Sequence, residues 1–126
     1  MKATDSEPTA LTASQRKELR GVLTAKRDAI RGKARAADAR LSEGREAQAE
    51  DMDAATQATE EAEQMGIADQ DRSTLALIDR ALAKFEAGTY GICEESEEPI
   101  GYARLRAVPW ARRTAQEEEL RERRRR

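Results

Sequence analysis

The chain has 126 residues and a net charge of −2, with charged and hydrophobic residues each making up 38% and aromatic residues only 3%. So little bulky apolar material cannot fill a sandwich or a doubly wound sheet, and it suits thin helix-on-helix packing. Histidine is absent and there is a single cysteine, Cys93. That removes the commonest proton shuttle and metal ligand as well as any internal disulfide, so catalysis would have to rest on carboxylates.

Residues 1–12 carry Pro8 among small polar side chains and read as a flexible leader, without the apolar core of a signal peptide. No stretch of the sequence approaches the roughly 18 apolar residues of a membrane span, so a cytoplasmic protein with no membrane contact is expected. Thr12 or Ser14 can cap the element that follows.

From about residue 13 to Ala47, Leu19, Val22, Leu23, Ala29, Ile30, Ala36, Ala37 and Leu41 recur at helical intervals, which predicts a long amphipathic helix. A second helical run spans about Ala54 to Ala87. Leu75, Ile78, Leu82 and Phe85 form its apolar stripe, which thins backward to Met65, Ala68, Ala62, Ala58 and Ala55. Each run is about 50 Å long at 1.5 Å per residue, so the two match as arms of an antiparallel hairpin over 13–87 with its tip near 48–55. Charge is sorted between them. Ser14 to Ser42 holds nine basic and three acidic residues, whereas Glu43 to Asp71 holds ten acidic residues and one basic. Asp51 and Asp53 are candidate N-caps of the second arm.

Composition changes at Gly88. Over residues 88–120 the chain gathers Tyr90, Ile92, Pro99, Ile100, Tyr102, Leu105, Val108, Pro109 and Trp110 into a small second core, and helical character returns after Pro109. An arginine-rich tail, residues 121–126, ends the sequence. It suits nucleic-acid phosphate, an acidic protein patch or a solubilising role equally, and no base-reading motif accompanies it, which argues against sequence-specific DNA binding.

Within this last core, Tyr90-Gly91-Ile92-Cys93, followed by Pro99-Ile100-Gly101-Tyr102-Ala103-Arg104-Leu105-Arg106-Ala107-Val108-Pro109, closely resembles the C-terminal module of the DksA/TraR family. The resemblance implies a mainly α fold, a long antiparallel coiled-coil hairpin joined to a small zinc-finger-like module and a C-terminal helix. Family members bind bacterial RNA polymerase, and their module holds zinc with two CxxC pairs. Here the four ligand positions read Cys93, Ser96, Thr114 and Glu117. One thiol, two hydroxyls and a carboxylate make a poor tetrahedral zinc site, so a degenerate module without metal is expected, held instead by burial of Trp110, Tyr90 and Ile100.

Counting back from Cys93, the family's hairpin-tip motif, Asp-x-x-Asp-x-Ala, falls on Glu50-Asp51-Met52-Asp53-Ala54-Ala55. The resemblance therefore assigns a polymerase-binding tip to Glu50, Asp53 and Ala55, with Asp51 as a shifted alternative. Arg27, Arg31 and Arg35 of the first arm are candidate contacts to acidic channel walls. The basic positions that the family uses for guanosine tetraphosphate fall on Leu77, Val108 and Glu118, which cannot bind phosphate, although Arg80, Lys84, Arg104 and Arg106 lie nearby. The implied function is that of a monomeric, non-enzymatic transcription regulator acting through the secondary channel of the polymerase, with a weak or absent alarmone response. Two other readings stay open: a structural or interaction coiled coil without polymerase activity, and a transcript-cleavage-type cofactor that positions magnesium at the acidic tip.

Overall fold

The computed structural model describes residues 10–48 and 54–125. Four helices follow in order: α1 (Ala13–Gln48), α2 (Ala54–Ala87), α3 (Tyr102–Ala107) and α4 (Ala115–Arg125). Among the described residues there is no strand, only an isolated antiparallel bridge between Ile92 and Pro99. The fold is mainly α, an antiparallel coiled-coil hairpin of α1 and α2 followed by a small zinc-finger-like module and a C-terminal helix. The chain forms two compact units. The first joins the residues up to Ala25 to those from Leu77 onward, and the second is Lys26–Ala76.

Local chemistry sets the helix ends. Thr12, rather than Ser14, starts α1: the Gln15 amide donates to Thr12 Oγ1 at 3.1 Å and the Thr12 amide donates to Gln15 Oε1 at 3.0 Å, so two otherwise orphaned donors are satisfied reciprocally. α2 stops at Gly88, whose φ of 76° is open to glycine at little cost. There the Thr89 amide reaches back to the Lys84 carbonyl at 2.9 Å and the Gly88 amide to the Phe85 carbonyl at 3.3 Å, the paired bonds of a Schellman ending.

In the first unit, Leu19 and Leu23 of α1, Ile78 and Ala81 of α2, and Tyr90, Cys93, Ile100 and Leu105 of the module are buried. Leu75, Leu82 and Phe85 complete the α2 stripe as half-buried residues. Phe85 stacks on Tyr90 with ring centroids 4.0 Å apart, and the Arg20 guanidinium lies 5.6 Å from the Phe85 centroid. The side chain of Arg20 also meets Glu86 at 2.8 Å. Leu11, near the end of the leader that the sequence leaves free either to pack beside the module or to stay loose, is buried as well. A side chain on Gly91 would meet its Cδ1 at 3.1 Å. Because Gly91 also has a φ of 87°, Gly91→Ala is expected to cost about 1 to 3 kcal/mol in thermal unfolding; a change below about 0.5 kcal/mol would contradict this packing.

The second unit is lean. Among its described residues Ile30 is the buried large hydrophobic one, and Lys33 pairs with Asp71 at 3.1 Å. Met65 is 67% exposed, with Ile67 and Leu41 also exposed, so the few large apolar side chains of this stretch do not pack into a seam. Leu41 and Val22 thus do not join the seam predicted for them. Val22 precedes the buried Leu23, and one helical step of about 100° turns it outward.

Candidate functional site

Of the tip residues, Glu50, Asp51 and Asp53 lie outside the described residues, and so does the N-cap role assigned to Asp51 and Asp53. Ala55 is the second residue of α2. It is exposed, and its carbonyl accepts a hydrogen bond from Thr59 Oγ1 at 3.0 Å. Arg27, Arg31 and Arg35 recur every four residues along α1, so they fall near one face. Arg31 and Arg35 are exposed, while Arg27 is half-buried with its Nε 3.3 Å from Asp28 Oδ1.

The four expected ligand positions, Cys93, Ser96, Thr114 and Glu117, lie in two similar turns. In the first, the Ser96 amide points at Cys93 Sγ from 3.5 Å. In the second, the Glu117 amide donates to Thr114 Oγ1 at 3.1 Å, which makes Thr114 the N-cap of α4. Cys93 is buried. Burial pushes its thiol up, but hydrogen bonds from Ser96 and from the Thr114 and Glu95 backbone outweigh that and hold it below its ordinary value. The Thr114 backbone thus faces Cys93 across the two turns.

This donor set does not fit zinc. Cys93 supplies one soft ligand, Thr114 Oγ1 already serves as a cap, and neutral hydroxyls are weak zinc donors. Among the described residues, no group of three or more Cys, Asp or Glu side chains is placed to hold a metal ion.

Ion pairs occupy the flanks of the two turns instead, a feature that the apolar reading of the sequence missed. Glu94, next to Cys93, takes Arg80 at 2.8 Å, Lys84 at 2.6 Å and Arg112 at 2.9 Å. Its side chain is 18% exposed. Hydrogen bonding from Arg80, supported by Arg112 and Lys84, holds its carboxyl well below the usual carboxylate range against the opposing effect of burial. Arg113, next to Thr114, is 7% exposed in its side chain and spans Glu95 at 3.4 Å and Glu118 at 3.3 Å. Its backbone carbonyl accepts a bond from Arg104 Nε at 2.8 Å. One carboxylate thus ties α2, the first turn and the segment before α4 together.

The predicted apolar supports contribute unequally. Tyr90 and Ile100 are buried, whereas Trp110 is only half-buried. The Tyr90 hydroxyl donates to the Pro109 carbonyl at 2.8 Å, and burial raises its ionisation above the ordinary phenol range. Tyr102 donates to the Glu18 carboxylate at 2.7 Å, fixing α3 to α1. Of the cations near the alarmone positions, Arg80 and Lys84 are engaged with Glu94 and Arg104 with the Arg113 carbonyl. Leu77 and Val108 are half-buried, and Glu118 is paired with Arg113.

Comparison with known proteins places this arrangement. The family model for the prokaryotic dksA/traR C4-type zinc finger matches residues 88–123. The RNA polymerase-binding transcription factor DksA of Caulobacter vibrioides is 43% identical over 74 residues, 59% of this chain and 52% of that protein. General stress protein 16O of Bacillus subtilis is 50% identical over 46 residues, 36% of this chain and 28% of that protein. The chain therefore spans about half the length, or less, of the curated relatives it matches. The solved structure of transcription factor DksA2 from Pseudomonas aeruginosa aligns with a TM-score of 0.68 at 27% identity, covering 89% of this chain and 86% of that one.

Proposed function

The chain belongs to the DksA/TraR family, and on that premise we propose that it is a transcription regulator that binds bacterial RNA polymerase through the secondary channel and alters the lifetime of promoter open complexes without zinc. What carries this reading is the likeness in both hairpin and module to the Pseudomonas transcription factor, taken with the polymerase-binding role named for the Caulobacter relative. In this reading the chain acts as a monomer. The tip, Glu50, Asp53 and Ala55, with Asp51 beside it, reaches into the channel, while Arg27, Arg31 and Arg35 line the arm against acidic walls. No step requires a covalent change in this protein. Among the described residues no helix is long and apolar enough to cross a membrane.

The absence of zinc from the mechanism rests on the ion pairs around Glu94 and Arg113, which link the same chain segments that a metal would cross-link. A module held this way keeps its form when zinc is scarce and carries one thiol, the buried Cys93, in place of four. A weak alarmone response follows from Leu77, Val108 and Glu118 and from the prior engagement of Arg80, Lys84 and Arg104.

The test compares chelator-treated wild type with Asp53→Asn, measuring binding to polymerase core and open-complex lifetime. Both proteins are expected to bind, with only the wild type changing the lifetime, and guanosine tetraphosphate is expected to add little. Failure of both to bind would leave a coiled coil with another partner. Stimulated RNA cleavage in stalled complexes would point to the cofactor reading, and strong enhancement by the nucleotide would overturn the alarmone assignment.

A further inference from the structure

The arginine run that ends the sequence is helix as far as Arg125, and α4 contains no buried residue. A polar helix of 11 residues with no buried side chain is shorter than the ~12–15 residues at which helices begin to persist in water by themselves. Its charge order helps it, with Glu117 and Glu118 in the first turn and arginines in the last. Arg123 is tied to Glu119 at 2.7 Å. Arg124 and Arg125 lie three and four residues beyond Arg121, so both neighbour it on the helix surface, and among the described residues none of the three makes an ion pair.

The composition of α4 selects the kind of partner. Protein interfaces centre on apolar and aromatic side chains that exclude water. α4 has no aromatic residue, and its large apolar side chain, Leu120, stands alone and exposed. A row of guanidinium groups without an apolar centre suits phosphate oxygens, which each group can grip with two parallel hydrogen bonds.

We propose that Arg121, Arg124 and Arg125 of α4 form a sequence-independent contact to the phosphodiester backbone of nucleic acid. Duplex DNA and single-stranded RNA share that chemistry. The contact does not depend on the polymerase reading, since it can be measured with the full-length chain alone.

The experiment follows fluorescence anisotropy of a short labelled DNA duplex and a single-stranded RNA of equal length as salt is raised. Three neutralised phosphates give a slope of about −2.7 in log affinity against log salt on the duplex, a loss of about fortyfold between ~50 and ~200 mM salt. Two duplexes of unrelated sequence should bind within about twofold of each other. The single strand should show a shallower slope, about −2.1, and tighter binding to one form identifies which source is preferred. Arg121→Gln/Arg124→Gln/Arg125→Gln, which keeps helix propensity, should abolish the dependence while leaving circular dichroism unchanged. An equal charge change elsewhere, Arg16→Gln/Lys17→Gln/Lys26→Gln, should retain it. The proposal falls if the first triple variant keeps the wild-type slope, if wild type fails to bind at low salt, or if polyglutamate is bound as well as the nucleic acid, which would indicate an acidic protein surface.

Discussion

Replacing Glu94 by glutamine is expected to lower the melting temperature of the protein by roughly 10 °C at neutral pH, corresponding to about 2 to 3 kcal/mol. The effect is large because Arg80, Lys84 and Arg112 converge on this one carboxylate, and removing it leaves three cations repelling one another where charge is partly shielded from water. Part of Arg80 is solvent-exposed, which keeps the cost below that of a fully buried network. The pH dependence has a definite sign. Glu94 is held below its ordinary range chiefly by Arg80, so its stabilisation is complete above the unfolded carboxylate value of about 4.3 and fades only as pH falls through the lower folded value. The gap between wild type and variant should therefore stay constant from about pH 8 to about pH 5 and narrow in stronger acid. Calorimetry across that range tests it. A gap near zero at neutral pH, or one that closes between pH 8 and 5, would show that the cluster does not hold the module.

The second large effect is a gain of function. Ser96→Cys/Thr114→Cys/Glu117→Cys, made together, is expected to take up about one zinc ion per chain and to become sensitive to chelators. The two turns already aim amide donors at Cys93 Sγ and Thr114 Oγ1, which is the environment that favours thiolate over thiol. The replacement of Thr114 also removes the cap of α4, at a cost of about 1 kcal/mol, so the metal-free variant should be less stable than wild type and the zinc-loaded variant more stable. Metal analysis and melting with and without chelator read both. A variant that binds no zinc would mean that the turns do not converge, and zinc retained by the wild type would overturn the metal-free assignment.

Much of this structure is legible in the sequence because its signals are local. The three-four spacing of Leu75, Ile78, Leu82 and Phe85 marks the seam, and Gly88 marks its end. Among the four ligand positions, the loss of thiols is read directly from Ser96, Thr114 and Glu117. The ion-pair lattice is harder to see, since Glu94 meets Arg80 and Arg112 across 14 and 18 residues of chain. One signal was available: acids, Glu94 and Glu95, follow the first ligand position, and bases, Arg112 and Arg113, precede the third. Burial of Leu11 left no such trace, because a single leucine among small polar residues has no periodicity from which to infer a contact. The tip motif, Glu50 to Ala55, rests on spacing from Cys93, and of the residues assigned to polymerase binding Ala55 is the one described.

The first compact unit is assembled from both ends of the sequence, with Leu11, Leu19 and Leu23 meeting Ile78, Tyr90 and Leu105 in one core. During synthesis its N-terminal half emerges long before the residues that cover it. The ribosome must deliver the chain past Leu105 before this core can close, so the nascent α1 waits with its leucines uncovered. Contacts of such long sequence separation also place closure of this unit late and slow relative to helix formation. A chain cut short anywhere in the module would therefore lose the base of the hairpin along with the segment deleted.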